Sequence, residues 1–352
     1  MSATRKRLLV LCGGTSSERG VSLSSGAGVL EALDRSRWLA HAAVITASGS
    51  VRWTAESCER SVVRDLEGGS IPHLESHLHD ALQEWRRAGI DVVFVALHGL
   101  GGEDGRLQGA LEAAGLAYTG SGVAGSALCM DKIWNRAAAA DLGVPVSPAC
   151  SVLELEWRRD RAKILRRIES ATGWPCFVKP ARGGSSLGLS RAADPATTER
   201  ALDLAFEHDA RVLVEAEFRG TEVSCGVLGN AEDDELLVLE PVEIRPRRDA
   251  YFSYEEKYSA DGALEHCPAI SVPRPMITRI QEAALRLHRG FALQGMSRTD
   301  FLVGDDALTM LETNTIPGLT PRSLLPLAAR VAGISYAGLL DRIAELGLRA
   351  RR

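Results

Sequence analysis

Asp300 and the run Glu312-Thr313-Asn314 are the residues in this chain whose types and spacing point most directly to chemistry. Apolar, β-branched stretches surround both: Thr299 to Val303 and Leu308 to Thr313, separated by the turn Gly304-Asp305-Asp306. Folded as a hairpin, they set Asp300 nearly opposite Glu312, and strand alternation puts Glu312 and Asn314 on one face. Two carboxylates and an amide oxygen on one face are the hard ligands that Mg²⁺ selects, with substrate phosphates completing its shell. A solvated hairpin with ordinary surface acids is the bland alternative. Against it, Glu312 ends an apolar run, where a buried carboxylate without a partner is costly.

A second group is Lys179-Pro180-Ala181-Arg182-Gly183-Gly184-Ser185-Ser186-Leu187-Gly188, which follows the strand-like Pro175 to Val178. A lysine at a strand end offers a point charge to phosphate, and a Gly/Ser loop offers backbone N–H groups and hydroxyls. The lysine precedes the glycines, so this is not a Walker A loop. A third group, Ala250-Tyr251-Phe252-Ser253-Tyr254-Glu255-Glu256-Lys257-Tyr258, has the composition of a lid. By their glycines, serines and tyrosines alone, both would pass for plain surface loops. Gly120-Ser121-Gly122-Val123-Ala124-Gly125 fits GxGxxG and keeps a dinucleotide-binding oxidoreductase in play. Leu116 to Thr119 is a poor strand to precede such a turn, however, and that reading leaves Asp300, Glu312 and Asn314 without a purpose.

The elements that must hold these residues alternate. Leu8 to Cys12 and Val92 to Leu97 are continuous apolar runs, each ending at a glycine-bearing turn, as buried parallel strands do. Helical patterns follow at Ser22–Leu33 and Leu107–Ala114, which predicts an α/β layer with a parallel sheet. Glu18 and His98 then fall beyond strand carboxyl ends, where such sheets bind ligands. Helical patterns at Ser126–Leu142 and Leu153–Ala171 come next, then strands at Arg211–Glu215 and Glu222–Leu228. Changes of pattern place boundaries that give segments 1–119, 120–217 and 218–352. Residues 48–79 show little periodicity.

The chain has 352 residues, a net charge of −5 and scattered basic residues, so it carries no nucleic-acid footprint. Its seven cysteines form no CxxC pair, which fits a reducing cytosol better than a disulfide framework. No run approaches the roughly 20 apolar residues of a membrane span, and the run after Arg5-Lys6-Arg7 is too short for a signal peptide. The expectation is a cytoplasmic protein with neither nucleic-acid nor membrane partners.

Taken in order, the motifs resemble the D-alanine–D-alanine ligase family from Leu8 to about Leu346. They are Gly13-Gly14-Thr15-Ser16-Ser17-Glu18-Arg19, Ala96-Leu97-His98-Gly99, Gly101-Gly102-Glu103-Asp104-Gly105, Tyr118-Thr119-Gly120-Ser121-Gly122 and Met130-Asp131-Lys132; then Val178-Lys179-Pro180, Cys267-Pro268-Ala269, Arg298-Thr299-Asp300 and Glu312-Thr313-Asn314-Thr315 with Pro317-Gly318. The resemblance implies a three-domain ATP-grasp fold with an N-terminal Rossmann-like domain, ATP and Mg²⁺ (or Mn²⁺) as cofactors, D-alanine as substrate, and a homodimer. It implies that Lys132, Lys179 and Lys257 contact ATP phosphates, and that Glu215 and Glu222 bind adenine and ribose. Asp300, Glu312 and Asn314 would hold two metal ions. Glu18 would take the first D-alanine's ammonium, and Ser185 with Tyr258 would lock the loops shut over it. His98 is placed among the substrate-binding residues. Arg298 and the Gly318 N–H would stabilise a tetrahedral oxyanion, while Ser323 and the Leu324 N–H would hold the second carboxylate. The implied reaction passes through an acylphosphate and serves peptidoglycan precursor synthesis. Gly20, Ala216-Glu217, Ile316 and Arg322 depart from the usual pattern and bear on fine specificity. A related ligase with another amino-acid pair is the alternative, although Tyr258 stands where ligases that use D-lactate carry His.

Overall fold

The structure is a computed structural model that describes residues 5–58, 61–184, 187–245 and 264–350. The first element, β1 (Lys6–Gly13), is a central strand because residues 8 to 12 have no polar side chain to expose. All five are fully buried. Then come α1 (Arg19–Ala32), β2 (Trp38–Ile45), β3 (Val51–Trp53), α2 (Val63–Gly68), β4 (Leu74–Ser76), α3 (Leu78–Arg87), β5 (Val92–Val95) and α4 (Arg106–Ala113). The sheet order is β4-β3-β2-β1-β5. Pairs β1–β2 and β1–β5 are parallel, as predicted, but β2–β3 and β3–β4 are antiparallel. The expected parallel sheet is therefore mixed. The added edge comes from residues 48–79, whose three-residue strands are too short to leave a period-two pattern.

The second sheet is antiparallel. It is reached through α5 (Val123–Met130) and α6 (Lys132–Asp141) and contains β6 (Ala149–Leu153), β7 (Cys176–Pro180), β8 (Ser190–Ala192) and β9 (Arg211–Ala216), in the order β6-β9-β7-β8. Helices α7 (Glu154–Arg159), α8 (Arg161–Ala171) and α9 (Pro195–Phe206) accompany it. Each long helical pattern read from sequence here is two helices. Asp131 interrupts the first, its carboxylate accepting the Ile133 and Trp134 N–H groups, and Asp160 interrupts the second by accepting from Lys163. An N-cap residue needs non-helical backbone, so a good cap in mid-pattern divides the helix.

The third sheet contains β10 (Thr221–Leu228), β11 (Leu237–Val238), β12 (Val242–Arg245), β13 (Leu264–His266), β14 (Met296–Val303) and β15 (Leu308–Asn314). Its order is β13-β12-β10-β14-β15, with β11 on β10, all antiparallel. Helix α10 (Arg274–Gly290) covers one face, sharing a core with Cys129 and Ala139 of α5 and α6. The last helices, α11 (Leu324–Val331) and α12 (Tyr336–Arg349), return to the first sheet, where Trp38 Nε1 donates to Asp341 at 2.7 Å. Among the described residues, no single helix is long and apolar enough to cross a membrane.

Gly125, the last glycine of the GxGxxG match, serves packing. A Cβ at Gly125 would fall 2.9 Å from Leu293 Cδ2 and 3.1 Å from the Phe291 carbonyl oxygen, and the Gln294 N–H donates to Ser121 Oγ. No phosphate could reach the Gly125 backbone, which is pressed against Leu293 and Phe291.

His288 on α10 joins two parts of the third core. One ring nitrogen donates to the Gly229 carbonyl, and the other, 2.7 Å from Ser297 Oγ, accepts. Burial lowers its pKa from 6.5 to about 4. The unfolded chain therefore binds this proton more readily, so the stability His288 supplies is complete above about pH 6.5 and is lost as pH falls to about 4. At roughly 1.4 kcal/mol per pH unit this is on the order of 3 kcal/mol. Urea unfolding of wild type and His288→Gln at pH 7 and pH 4.5 should show the wild type losing more stability on acidification. Equal losses would remove this imidazole from the acid response.

Candidate active site

The predicted hairpin exists, with Asp300 paired to Glu312, Arg298 to Asn314 and, across β10, Ser224 to Asp300. A register shift after Asp300 lets Phe301 pair with Met310, which leaves Leu311 as the extra residue. That bulge is why Glu312, at the end of an apolar run, turns to the polar face. Alternation puts Glu222, Ser224, Arg298, Asp300, Glu312 and Asn314 on one face, and all six line a cavity of about 600 Å³.

Asp300 is buried and fully engaged. Arg298 donates to both of its oxygens (2.9 and 2.7 Å), Ser224 Oγ to Oδ1 (2.5 Å) and Asn314 Nδ2 to Oδ2 (3.1 Å). Burial opposes the Arg298 charge, but Asp300, Glu312 and Glu222 offset it and hold the guanidinium protonated well above its ordinary range. The donor set fits a hard divalent cation. Turning the Asn314 amide over would release one Asp300 Oδ2 position and present a carbonyl oxygen at the same point.

Lys132 begins α6, just after its cap. Its Nζ donates to the Gly183 carbonyl (2.5 Å) and lies 4.0 Å from Glu312 Oε2, linking the glycine loop to the acidic face. Lys179 is next to last in β7 and forms an ion pair with buried Glu215, whose other oxygen is 3.3 Å from Arg136 Nε. These two line a smaller cavity of about 160 Å³, in which Phe177, Leu189, Phe218 and Leu302 form an apolar slot. Both cavities are bordered by Lys132, Gly183, Gly184, Glu222, Asp300 and Glu312, so the slot opens onto the acidic face.

Glu18 is the cap residue of α1, brought to the cavity by the turn after β1. A Cβ at Gly184 would lie 2.4 Å from Glu18 Oε2 and one at Gly99 would lie 2.5 Å from it, so glycine backbones close on this carboxylate from two sides. His98 borders the same cavity, yet both of its ring nitrogens are committed to protein. Nδ1 is 3.1 Å from the Ile316 carbonyl, which can only accept, and Nε2 takes Ser25 Oγ at 3.0 Å. Burial lowers its pKa to about 4. Both ring nitrogens of this neutral imidazole thus bond protein, tying the cavity wall at His98 to α1 and to the backbone at Ile316.

On the far side, a Cβ on Gly318 would meet Ser323 Oγ at 2.8 Å. Ser323 caps α11 and its hydroxyl bonds Thr320, while Leu324 starts the helix and lines the cavity. Ser185, Lys257 and Tyr258 lie outside the described residues. Sequence reasoning gave no role to Ser224, Arg136, Tyr336 or Glu103. Ser224 alternates with Glu222 and could have been found that way. Glu103 lies inside a quoted motif, but only its burial and contacts disclose its role.

An apolar slot that runs into lysines, a glycine loop and a carboxylate face, between two antiparallel sheets, defines an ATP-grasp ligase. Models of the D-ala D-ala ligase N-terminus and C-terminus match residues 7–121 and 138–345. The chain is 35% identical to a D-alanine–D-alanine ligase of Caldicellulosiruptor bescii over 99% of its own length and 97% of the relative's. Among solved structures, the VanG D-Ala:D-Ser ligase of Enterococcus faecalis superposes with a TM-score of 0.81 at 30% identity, covering 98% of this chain and all of that one. The D-alanine–D-alanine ligase of Bacillus anthracis complexed with ATP gives 0.75 at 28%, covering 98% of each. The chain belongs to the D-alanine–D-alanine ligase family.

Proposed function

We propose that this chain joins two D-alanine molecules into D-alanyl-D-alanine, consuming ATP, in the cytoplasm and for peptidoglycan precursors. The observation that carries the reading is the single cavity in which Glu18 and Gly184 face Arg298, Asp300, Glu312 and Asn314, with the apolar slot opening beside them. In this reading, segments 1–119, 120–217 and 218–352 bring the amino-acid, nucleotide and metal sides of the site. The slot takes adenine, with Glu215 and Glu222 at its polar edge. Lys132 and Lys179 neutralise phosphate oxygens. Asp300, Glu312 and Asn314 would hold Mg²⁺ or Mn²⁺, which when bound neutralises charge on the transferring phosphoryl group.

The first D-alanine, its ammonium on Glu18, attacks the γ-phosphate through its carboxylate, giving an acylphosphate and ADP. The second is held by its carboxylate at Ser323 and the Leu324 N–H. Its deprotonated amine attacks the acyl carbon, Arg298 and the Gly318 N–H stabilise the oxyanion, and phosphate leaves. In this reading Lys257 reaches the γ-phosphate, Ser185 and Tyr258 act with Glu18, and water that would hydrolyse the intermediate is excluded.

Mass spectrometry of products from D-alanine, L-alanine, D-serine and D-lactate tests the substrate. An ammonium and a carboxylate fixed at two points leave the methyl group one pocket, so L-alanine must lose a charged contact or clash. One lost charge-assisted hydrogen bond costs about 1.5–3 kcal/mol, or roughly ten- to a hundredfold in rate. D-alanine should give its dipeptide with one phosphate per bond, and L-alanine should be at least tenfold slower. D-serine should be the better tolerated at the second site, which Arg322 borders. Equal rates for the two alanine enantiomers would sink the substrate assignment.

A further inference from the structure

Ile316 stands between the metal-ligand strand and Gly318, and both peptide planes that flank it are held from the first sheet's loops. Its N–H donates to Glu103 Oε1 at 3.2 Å, and its carbonyl accepts from His98 Nδ1–H at 3.1 Å. Each holder is itself fixed. The other oxygen of Glu103 accepts the Gly99 N–H at 2.7 Å, and the other ring nitrogen of His98 is set by Ser25 Oγ on α1. Pro317 follows, and its ring locks φ. Between the pinned peptide and the Gly318 N–H, only the ψ angle of Pro317 remains soft. Beyond Gly318, Tyr336 Oη donates to the Leu319 carbonyl at 2.5 Å, closing the loop from the other end.

We propose that Glu103 and His98 are positioning residues that act together through the Ile316 peptide to aim the Gly318 N–H at the carbonyl oxygen of the reacting acyl group. The assignment rests on the ligase reading above. Neither residue touches the reacting atoms in this scheme. The site needs them because an oxyanion donor works only when it is already aimed at where charge will develop, and a loop that had to reorient during the reaction would lose that advantage. The arrangement is not one that stability alone would favour. Glu103 is a buried carboxyl group near Glu18, and its pKa is raised to about 8, chiefly by burial and then by the Glu18 charge. A well-packed apolar side chain is commonly as stable in such a place.

Because the pair holds the two peptides that flank one residue, its effects should be coupled, and the variants can be chosen to preserve or remove single bonds. Asn carries its amide nitrogen near where the His Nδ1 sits, so His98→Asn keeps a donor for the Ile316 carbonyl, whereas His98→Leu removes it. Glu103→Gln keeps the shape but can accept only one of the two N–H groups, since its NH₂ faces the other. The experiment measures kcat, KM for ATP and KM for D-alanine on the full-length chain, with thermal melting to verify folding. His98→Leu and Glu103→Gln should each lower kcat about tenfold or more with KM for ATP within about threefold, since the adenine slot is elsewhere. His98→Asn should recover most of the loss. The double variant His98→Leu/Glu103→Gln should fall well short of the product of the single effects.

Three results would overturn the assignment: single variants within twofold of wild-type kcat, a double variant equal to the product of the singles, or no difference between His98→Asn and His98→Leu. Should Glu103→Gln fail to fold, the His98 pair still decides, since rescue by Asn is not expected of a side chain that only fills space. Wild-type chain that makes no D-alanyl-D-alanine would instead strike down the ligase reading, and this assignment with it. Wild-type turnover with indifferent variants would strike down the positioning role alone.

Discussion

Glu312→Gln should lower the rate of dipeptide formation by about a thousandfold or more and leave the protein folded. The expectation follows from counting charge on one sheet face. Asp300 and Glu312 are paired across β14 and β15, with Arg298 on Asp300 and Lys132 Nζ 4.0 Å from Glu312. With Glu222 on the same face, three negative charges meet two positive ones. Removing one carboxylate cancels the net negative charge where a divalent cation is to bind, and exchanges an anionic oxygen ligand of the kind Mg²⁺ prefers for a neutral one. Gln retains volume and one carbonyl oxygen, so packing changes little. The Glu312 side chain is 32% exposed, and a substitution there is expected to shift stability by about 1 kcal/mol or less. A thousandfold rate loss corresponds to about 4 kcal/mol of transition-state stabilisation, within the range that one misplaced metal ligand can cost. Dipeptide formation is followed while Mg²⁺ is titrated from micromolar to tens of millimolar. Near-normal turnover of Glu312→Gln at millimolar Mg²⁺ would remove this residue from the metal site.

What could be read from the chain beforehand depended on how local its cause was. Strand alternation placed Asp300 against Glu312 correctly because both lie on one hairpin, so a period of two and a short turn settle their relation. The bulge at Leu311 was not legible, since it depends on how Phe301 and Met310 fit the core beneath. The long helical patterns showed where helices would be, but not that Asp131 and Asp160 would divide them, since a cap depends on where each carboxylate meets backbone N–H groups. The return of α11 and α12 to the first sheet is a property of the whole chain. No periodicity near residue 340 announces that Asp341 will meet Trp38.

The same distinction separates His98 from Glu18. Both fall at carboxyl ends of parallel strands, where such sheets bind ligands, and the family resemblance adds the ammonium role of Glu18. Glu18 remains at a cavity wall with glycine backbones against it, whereas His98 is taken up by Ser25 and Ile316, more than two hundred residues from one another. A motif reports that a residue type is needed. It does not report whether the need is contact with substrate or control of the residue that makes contact, and only the partners of the side chain decide that.

Arg298→Lys should reduce dipeptide formation by about a hundred- to a thousandfold, and Arg298→Ala by at least as much. Lysine keeps the positive charge, so a purely electrostatic role would survive the exchange. It loses the planar fork that binds both oxygens of Asp300 at 2.9 and 2.7 Å. The residue has two duties in the proposed mechanism: it fixes the Asp300 carboxylate and supplies a donor to the oxyanion of the second step. These can be told apart by comparing ADP with dipeptide in the same reaction. If fixing Asp300 were all, phosphoryl transfer would fail first, and ADP and dipeptide would fall together at a ratio near one. If the donor to the oxyanion matters, the acylphosphate still forms at a reduced rate but waits longer for the amine, and water hydrolyses part of it. The ratio of ADP to dipeptide then rises above one. The geometry favours the second outcome for Arg298→Lys, because Ser224 Oγ continues to hold Asp300 after the fork is gone. A ratio that stays at one, with both products reduced equally, would assign Arg298 to the carboxylate alone and leave the oxyanion to the Gly318 N–H.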